Sequence, residues 1–371
     1  MSFKTNITNS PRRYLTYLIA LAFPCFTLTA DIDSADDLNA SSISDGLWSG
    51  AVVIAGTADE VFFKQAWGWM DKGKTIPMHE DAVFDLASVT KAVGTTTAIA
   101  LCIDRGLIDP DIDFTNYLNN YNGQLDSPVT VRDLARHLSG FNNEKPYDKK
   151  DLVIERILRF SPVRPAGELY EYSCANFILL GLIAENASGQ NMTEFCAEHV
   201  FEPLAMRNTH WAPLENPDPS HVVRQGVTQT LGVASDPPAR HANQAIGNAG
   251  LFSTAEDLSA FCRMLLASGM YNGKRILSEE VVKMLGIRPD SRSPVAFGWR
   301  VDSKLNPPSL SDATMSHTGW SGVSLWIDPT SQRYVVVLTN RTGNHRKADQ
   351  SRLELAEQVL SATGPLKREH K

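Results

Sequence analysis

The sequence predicts an α/β (α+β) fold in which helices flank an antiparallel sheet built from both ends of the chain. Near the start, residues 50–55 and 61–69 are short apolar runs bounded by Gly and Asp, a pattern typical of β-strands. Three further strand-like runs lie near the end of the chain, at residues 297–302, 324–327 and 334–338. Because the patterns between these two groups are mostly helical, residues 108–240 are predicted to form a helical insertion.

The composition excludes some classes of function. The chain has 371 residues, 43% of them hydrophobic and 21% charged, which is enough apolar material for a large core. Its formal net charge is −7, and no long run of one charge sign occurs. A nucleic-acid partner is therefore not expected. We expect one domain at residues 48–364, followed by a basic tail at residues 365–371.

The N-terminus has the order of features found in export signals. Three basic residues precede an apolar stretch at residues 14–28, and the small residue Ala30 follows it. We predict a signal peptide at residues 1–30 and a loose, acidic segment at residues 31–47. The protein is then exported, periplasmic or secreted. The alternative is an uncleaved signal that anchors the chain to the membrane.

The cysteines do not suggest a metal site. Cys25 lies within the predicted signal, and the spacings of the other four match no zinc pattern. Free thiols in the core are expected rather than a disulfide framework, although an oxidising compartment would permit a bridge. The sequence also lacks a Gly-rich phosphate loop, so neither a metal nor another cofactor is predicted.

Helix signals mark several further segments. Residues 88–105 place apolar side chains on one face and end before Gly106. Thr130 and Asp133 are predicted to open a short helix as a capping box. The other predicted helices cover residues 175–185, residues 254–267, a segment opened by Ser278, and residues 352–360.

The first chemical signal is the S-x-x-K motif formed by Ser88 and Lys91 at the start of a predicted helix. Three residues are close to one helical turn, so the hydroxyl and the amine share a face. A serine needs an adjacent base to become a nucleophile. A lysine can serve if its surroundings lower its pKa. The alternative is an N-cap serine beside a surface lysine.

Several segments, in order, resemble the serine β-lactamase-related superfamily of class C β-lactamases, DD-peptidases and family VIII esterases. They are residues 50–55, 84–91, 134–140, 167–181, 248–254 and 317–319. The resemblance runs from about residue 48 to residue 345. It implies a β-lactamase or transpeptidase-like fold, with Ser88 as the nucleophile and Lys91 as the base. His137 and His210, outside these roles, are expected to be structural.

The resemblance also implies that Tyr172 relays a proton to the leaving group; the alternative is a half-buried core tyrosine. Many members of the superfamily carry Tyr-x-Asn here, where the asparagine bonds the amide of a β-lactam or peptide, but this chain has Cys174. A thiol is a weak hydrogen-bonding group. Asn176, two residues on, is expected to face elsewhere. The change argues against efficient β-lactam hydrolysis and is compatible with an esterase.

Residues 317–319 resemble the third catalytic motif of the superfamily. His317 is expected to bond a substrate carboxylate or to polarise the lysine–tyrosine network, with Thr318 and Gly319 beside the substrate on an edge strand. The oxyanion hole is expected to consist of the backbone N–H groups of Ser88 and Trp320. The alternative for His317 is a turn residue before a Gly-rich loop.

These features predict a serine hydrolase that forms an acyl-enzyme on an ester, a β-lactam or a D-amino-acid peptide. Ester or peptide is favoured, and the partner is a small-molecule or peptidoglycan-derived substrate. A first rival is a non-catalytic protein of the same fold that binds muropeptides or β-lactams. A second is a structural protein of the cell wall. The sequence leaves the oligomeric state open.

Overall fold

The computed structural model describes Met1 and residues 29–225 and 231–362. The signal peptide predicted for residues 1–30 lies almost wholly outside this part of the chain, and the basic tail predicted at residues 365–371 lies outside it entirely.

The described residues form ten β-strands and ten α-helices. The strands are β1 (Trp48–Thr57), β2 (Val61–Gly68), β3 (Phe84–Asp85), β4 (His210–Trp211), β5 (Leu251–Ser253), β6 (Met270–Tyr271), β7 (Lys274–Arg275), β8 (Met315–Gly319), β9 (Val323–Asp328) and β10 (Arg333–Arg341). The helices are α1 (Thr29–Ser44), α2 (Thr97–Asp104), α3 (Val131–Ala135), α4 (Val153–Ile157), α5 (Cys174–Ser188), α6 (Met192–Cys196), α7 (Pro237–His241), α8 (Ala255–Leu266), α9 (Glu279–Gly286) and α10 (His345–Ala362). Lys91–Thr96 and Ala197–Phe201 are π-helical, and Phe114–Asn116 and Ser303–Leu305 are 3₁₀ turns.

The main sheet joins the two ends of the chain. Its five strands lie in the order β2-β1-β10-β9-β8, and every neighbouring pair is antiparallel. Strands β1 and β2 come from the start of the chain and the other three from its end. The predicted fold class is therefore confirmed, and β8, which carries residues 317–319, is an edge strand as expected.

Strand β1 is buried on both faces, because a core lies on each side of the sheet. Successive side chains of a strand point to opposite faces. Val52 and Ile54 belong to the larger core, which includes residues of α2, α5 and α8. Val53 and Ala55 belong to a smaller core shared with α1 and α10. This burial explains why residues 50–55 read as a continuous apolar run rather than an alternating one.

The expectation of a loose segment at residues 31–47 is wrong, since α1 occupies most of it. One side of α1 packs into the smaller core. The carboxylate of Asp36 also accepts hydrogen bonds from Gln65 Nε2 (3.0 Å) and Trp67 Nε1 (2.6 Å) on β2. Tertiary contacts stabilise this helix, and local propensity in an acidic, Ser-rich stretch gives little sign of it.

The prediction of a strand at residues 297–302 is also wrong. Val295 pairs with Arg300 in a single bridge, and Arg300 pairs with Ser316 on β8. Between them the chain turns at Gly298, whose φ is +73°. Glycine adopts this conformation readily, and it interrupts an extended strand. The segment thus forms a turn beside the sheet edge.

Several local signals were correct. Thr130, Thr254 and Ser278 cap α3, α8 and α9 through their hydroxyl groups, and the capping box with Asp133 is present. Helix α5 ends at Gly189, with φ +73°. Cys102, Cys174, Cys196 and Cys262 are free and buried, as expected. Among the described residues, no helix has the length and apolar character needed to cross a membrane.

Candidate active site

Ser88 lies in a sharp turn between β3 and a helical stretch. Ala87, just before it, has φ +44°, which is uncommon for a residue with a side chain. The buried carboxylate of Asp85 holds this turn, because it accepts hydrogen bonds from the backbone N–H of Ala87 (2.8 Å) and of Ser235 (2.7 Å). Asp85 is thus a positioning group that the sequence analysis missed, although it stands within the matched segment 84–91.

Lys91 and Tyr172 both contact the hydroxyl of Ser88. Lys91 Nζ lies 3.1 Å from Ser88 Oγ, and the Tyr172 hydroxyl donates to the same oxygen at 2.9 Å. Lys91 Nζ also donates to the backbone carbonyl of Asn248 at 2.7 Å and lies 5.2 Å from the centre of the Tyr172 ring. The structure therefore brings together the three residues that the sequence singled out for proton transfer.

The lysine is fully buried, and its charge is set by its neighbours. Burial alone lowers the pKa of Lys91, but attraction to the ionised forms of Cys174 and Tyr172 raises it, and the net pKa lies above the usual lysine value. The sequence analysis required a lowered pKa. The direction differs because the amine lies beside two acidic side chains rather than beside other cations.

A second layer of polar groups holds Asn248. Its side-chain amide donates to Asp236 Oδ1 at 2.9 Å, and Lys145 Nζ lies 3.2 Å from Asp236 Oδ2. Asp236 also caps α7. These hydrogen bonds connect Lys91, through Asn248 and Asp236, to Lys145 in the cavity wall. Neither Asp236 nor Lys145 lies in a recognised motif, so neither was predicted.

Tyr172 stands just before α5. Ser173 caps this helix, and Cys174 is its first residue. The Cys174 side chain is buried and lines the cavity in front of Ser88. Asn176 turns away, as expected: its amide contacts Ser139 Oγ (2.5 Å) and His137 Nδ1 (2.9 Å). No asparagine of this segment therefore takes the place that Cys174 occupies.

The edge strand β8 passes close to the nucleophile turn. An ideal Cβ placed on Gly319 would lie 2.5 Å from the carbonyl oxygen of Leu86, so only glycine fits without a shift. A side chain at position 319 would thus meet the chain's own atoms, the Leu86 carbonyl and the Val323 side chain. His317 and Thr318, the preceding residues of β8, line the cavity.

His317 is neutral at physiological pH. Burial and the charge of Lys91 lower its pKa to about 3. Its Nδ1 lies 3.0 Å from the carbonyl oxygen of Thr318, which can only accept, so Nδ1 carries the proton. His317 therefore presents Nε2 as an acceptor rather than as a cation.

The two N–H groups expected to form the oxyanion hole are available. Within the described residues, neither the Ser88 nor the Trp320 N–H makes a hydrogen bond. The Trp320 indole is 44% exposed, and the Arg341 guanidinium lies 4.4 Å from its ring centre. Arg341 Nε also donates to the Trp320 carbonyl at 2.8 Å. These contacts fix the backbone on which the second N–H lies.

The cavity in front of Ser88 has a volume of about 760 Å³. Its wall includes most of the residues predicted from the sequence, namely Ser88, Tyr172, Cys174, His317, Thr318 and Trp320. It also includes cationic side chains, of which Arg300 is notable. Arg300 Nη2 pairs with Asp302 at 3.2 Å, while its Nε makes no hydrogen bond within the described part of the chain. The Arg300 guanidinium therefore places a positive charge at the cavity wall.

His137 lies in the same wall, whereas the sequence analysis set it apart from the site. Its ring centre is 4.6 Å from that of Tyr172. His210 lies outside the cavity wall: it is exposed and contacts the Arg207 carbonyl at 3.0 Å. Across the residues that the structure describes, no group of His, Cys, Asp or Glu side chains is arranged to hold a metal ion.

Comparison with protein families gives one match, to the family described as Beta-lactamase, across residues 40–360. Among curated proteins, the chain is 27% identical over 333 residues to an Escherichia coli K12 protein named "Putative D-alanyl-D-alanine carboxypeptidase", with 76% of each chain covered.

Two solved structures share the fold. EstCE1, described as a hydrolase with promiscuous acyltransferase activity, has a TM-score of 0.73 and 20% identity, over 89% of this chain and 98% of its own. A penicillin-binding protein homologue from Caulobacter crescentus has a TM-score of 0.72 and 19% identity, over 90% and 98%.

Proposed function

Since the chain belongs to the β-lactamase family, we propose that it is a serine hydrolase that works through a covalent acyl-enzyme on Ser88. One observation carries the proposal: Ser88 Oγ lies within hydrogen-bond distance of both Lys91 Nζ and the Tyr172 hydroxyl. A nucleophile and its proton acceptor must lie this close for catalysis.

In the first step, Ser88 Oγ attacks the substrate carbonyl and loses its proton to the pair formed by Lys91 and Tyr172. The negative charge that develops on the carbonyl oxygen is stabilised by the N–H groups of Ser88 and Trp320. The intermediate then collapses, the bond to the leaving group breaks, and Tyr172 returns a proton to that group.

The base is best assigned to the pair rather than to one residue. The raised pKa of Lys91 favours the ammonium, which cannot accept a proton. The Tyr172 oxygen is the other group within hydrogen-bond distance of Ser88 Oγ. The sequence-based expectation of Lys91 as the base for the attack of Ser88 is thus extended to Lys91 and Tyr172 acting together. In the second step, this pair activates the water that hydrolyses the acyl-enzyme.

For the substrate, we propose an ester or a peptide ending in a D-amino acid, rather than a β-lactam turned over efficiently. Cys174 offers little hydrogen bonding to the amide that β-lactams and peptides carry, which favours an ester. The Arg300 guanidinium is a cation in the cavity wall, which suits the terminal carboxylate of a peptide. The printed name of the E. coli relative points to the same substrate class.

Export of the protein is proposed on the N-terminal pattern of basic, apolar and small residues. Cell fractionation, with N-terminal sequencing of the mature protein, tests it. A chain retained at full length in the membrane fraction would support the uncleaved anchor instead.

The test of the function combines two assays on wild type and Ser88→Ala. Intact-protein mass spectrometry after incubation with a fluorescent penicillin detects the acyl-enzyme. Release of p-nitrophenol from p-nitrophenyl butyrate and of D-alanine from a D-alanyl-D-alanine peptide measures turnover. We expect adduct and turnover in wild type and neither in the variant. Ser41→Ala, a change at an exposed position of α1, is the matched control and should behave as wild type.

If wild type gives no adduct and no turnover, yet wild type and Ser88→Ala bind muropeptides equally, then the protein is a binding protein of this fold and the hydrolase proposal fails.

A further inference from the structure

The main chain on both sides of Tyr172 is bonded to a single residue, His137. The His137 carbonyl accepts from the N–H of Glu171 at 3.0 Å, and its ring Nδ1 accepts from the N–H of Ser173 at 3.2 Å. The ring itself lies against the tyrosine, with centres 4.6 Å apart and planes at 38°. We propose that His137 is the positioning residue that holds the Tyr172 hydroxyl against Ser88, an inference that rests on the proposed function.

The orientation of the His137 ring is fixed by a further contact. Asn176 Nδ2 lies 2.9 Å from His137 Nδ1, and Ser139 donates to Asn176 Oδ1 at 2.5 Å. Since the serine hydroxyl bonds the amide oxygen, the amide nitrogen must face the ring, where it donates. Nδ1 therefore receives two N–H donors and carries no proton, so the proton of the neutral ring is on Nε2.

The surroundings keep the ring neutral. His137 is 3% exposed, and burial, together with the charge of Lys91, lowers its pKa well below the usual histidine value. The aromatic neighbours of the ring are Tyr170, Tyr172 and Phe177. The acceptor on Nδ1 is consequently present throughout the neutral pH range.

The two hydrogen bonds that His137 makes on either side of Tyr172, here called the clamp, should affect the rate of the reaction. Without the Nδ1 acceptor, the buried N–H of Ser173 is left unpaired, and the turn that carries Tyr172 is free to shift. A displacement of about 1 Å in a proton-transfer group can lower the rate by roughly 100-fold. Since Tyr172 acts on the bond-making steps, the loss falls on kcat, with KM little changed.

Two substitutions separate the acceptor from the ring. His137→Asn places an amide oxygen near the position of Nδ1, and asparagine tolerates the φ of +56° at this residue. His137→Gly tolerates the same φ but has no acceptor. His210→Gly, at an exposed histidine whose ring contacts the Arg207 carbonyl outside the cavity wall, is the matched control.

With p-nitrophenyl butyrate we expect His137→Gly to lose roughly 100-fold in kcat, His137→Asn to retain most of it, and His210→Gly to match wild type. Imidazole added to His137→Gly should restore part of the rate by entering the cavity. Full activity of a folded His137→Gly, or equal loss in both His137 variants without rescue, would overturn the proposal.

A second measurement does not depend on activity or on the folding of a variant. The ¹⁵N chemical shifts of the wild-type His137 ring should show an unprotonated Nδ1 and a protonated Nε2. The opposite tautomer contradicts the clamp. If the protein has no hydrolase activity, the proposed function fails, whereas this spectrum still decides whether the hydrogen bonds around Tyr172 are as described.

Discussion

The hydroxyl of Tyr172 donates a 2.9 Å hydrogen bond to Ser88 Oγ, although 84 positions separate the two residues in the chain. The serine follows β3 and the tyrosine precedes α5, so the two come together only in the folded protein. This hydroxyl contacts the same serine oxygen as Lys91 Nζ, and that position gives the first prediction.

Tyr172→Phe removes the hydroxyl and leaves the ring. Because general acid–base groups contribute roughly 10²–10⁴-fold, kcat for p-nitrophenyl butyrate should fall by about that factor. Steady-state kinetics with a thermal melt checks it. Tyr271→Phe, on the two-residue strand β6, is the control. A kcat equal to that of wild type would show that Lys91 alone moves the proton.

Cys174→Asn should improve reaction with β-lactams. An amide at this position supplies a donor and an acceptor that the thiol lacks. One new hydrogen bond contributes about 1 kcal/mol, which corresponds to roughly a fivefold to tenfold faster acylation. Stopped-flow acylation by a fluorescent penicillin measures it. Cys174→Ser, which introduces a smaller polar group, should increase the acylation rate less. An unchanged rate in Cys174→Asn would mean that the side chain at this position does not reach the ligand.

Arg300→Gln should discriminate between substrates. If Arg300 bonds a terminal carboxylate, kcat/KM for a D-alanyl-D-alanine peptide should fall by roughly 10-fold or more, the loss of a charge-assisted hydrogen bond. The value for p-nitrophenyl butyrate, which has no carboxylate, should stay near that of wild type. Equal losses for both substrates would indicate a structural role for Arg300.

His317 should make the folded protein sensitive to acid. Its pKa is about 3 when folded, whereas an unfolded chain restores the ordinary value of about 6.5. Between these two values the unfolded state binds more protons, so the free energy of unfolding falls as the pH drops from 6.5 toward 3. Urea denaturation at pH 7 and pH 4 should show a smaller loss for His317→Gln than for wild type. Identical pH dependence in both proteins would rule out this contribution.

Asp290→Ala should destabilise the fold. The Arg136 side chain is buried, and it forms a bidentate salt bridge with Asp290. Its Nη1 donates to Oδ2 at 3.0 Å, and its Nη2 donates to Oδ1 at 2.7 Å. Without the carboxylate, the buried guanidinium loses its charged partner. The free energy of unfolding should fall by about 3 kcal/mol, which is the lower end of the range for breaking a buried ion pair. The lower end applies because Asp290 is partly exposed. Urea denaturation measures the change. Asp126→Ala, at an exposed loop residue, should leave the midpoint unchanged.

Local sequence patterns correctly predicted much of the fold. The apolar runs on β1, β9 and β10 reflect burial on both faces of the sheet, and the caps at Thr130, Thr254 and Ser278 act within one helical turn. Failures occurred where distant contacts decide the structure. Helix α1 depends on packing against β2 and α10, and the run at 297–302 is broken by the turn at Gly298.

For the site, the sequence by itself determined which residues are candidates for catalysis, because S-x-x-K spacing and the ordered motifs are properties of the chain. Only the tertiary structure decided how these residues are held. The turn at Ser88 depends on Asp85 bonding Ser235, and the position of Tyr172 depends on His137. The direction of the Lys91 pKa was likewise set by Cys174 and Tyr172, which lie far away in sequence. Hydrogen bonds and charges act over a few ångströms in space, and no local pattern records which distant residues the fold will bring within that range.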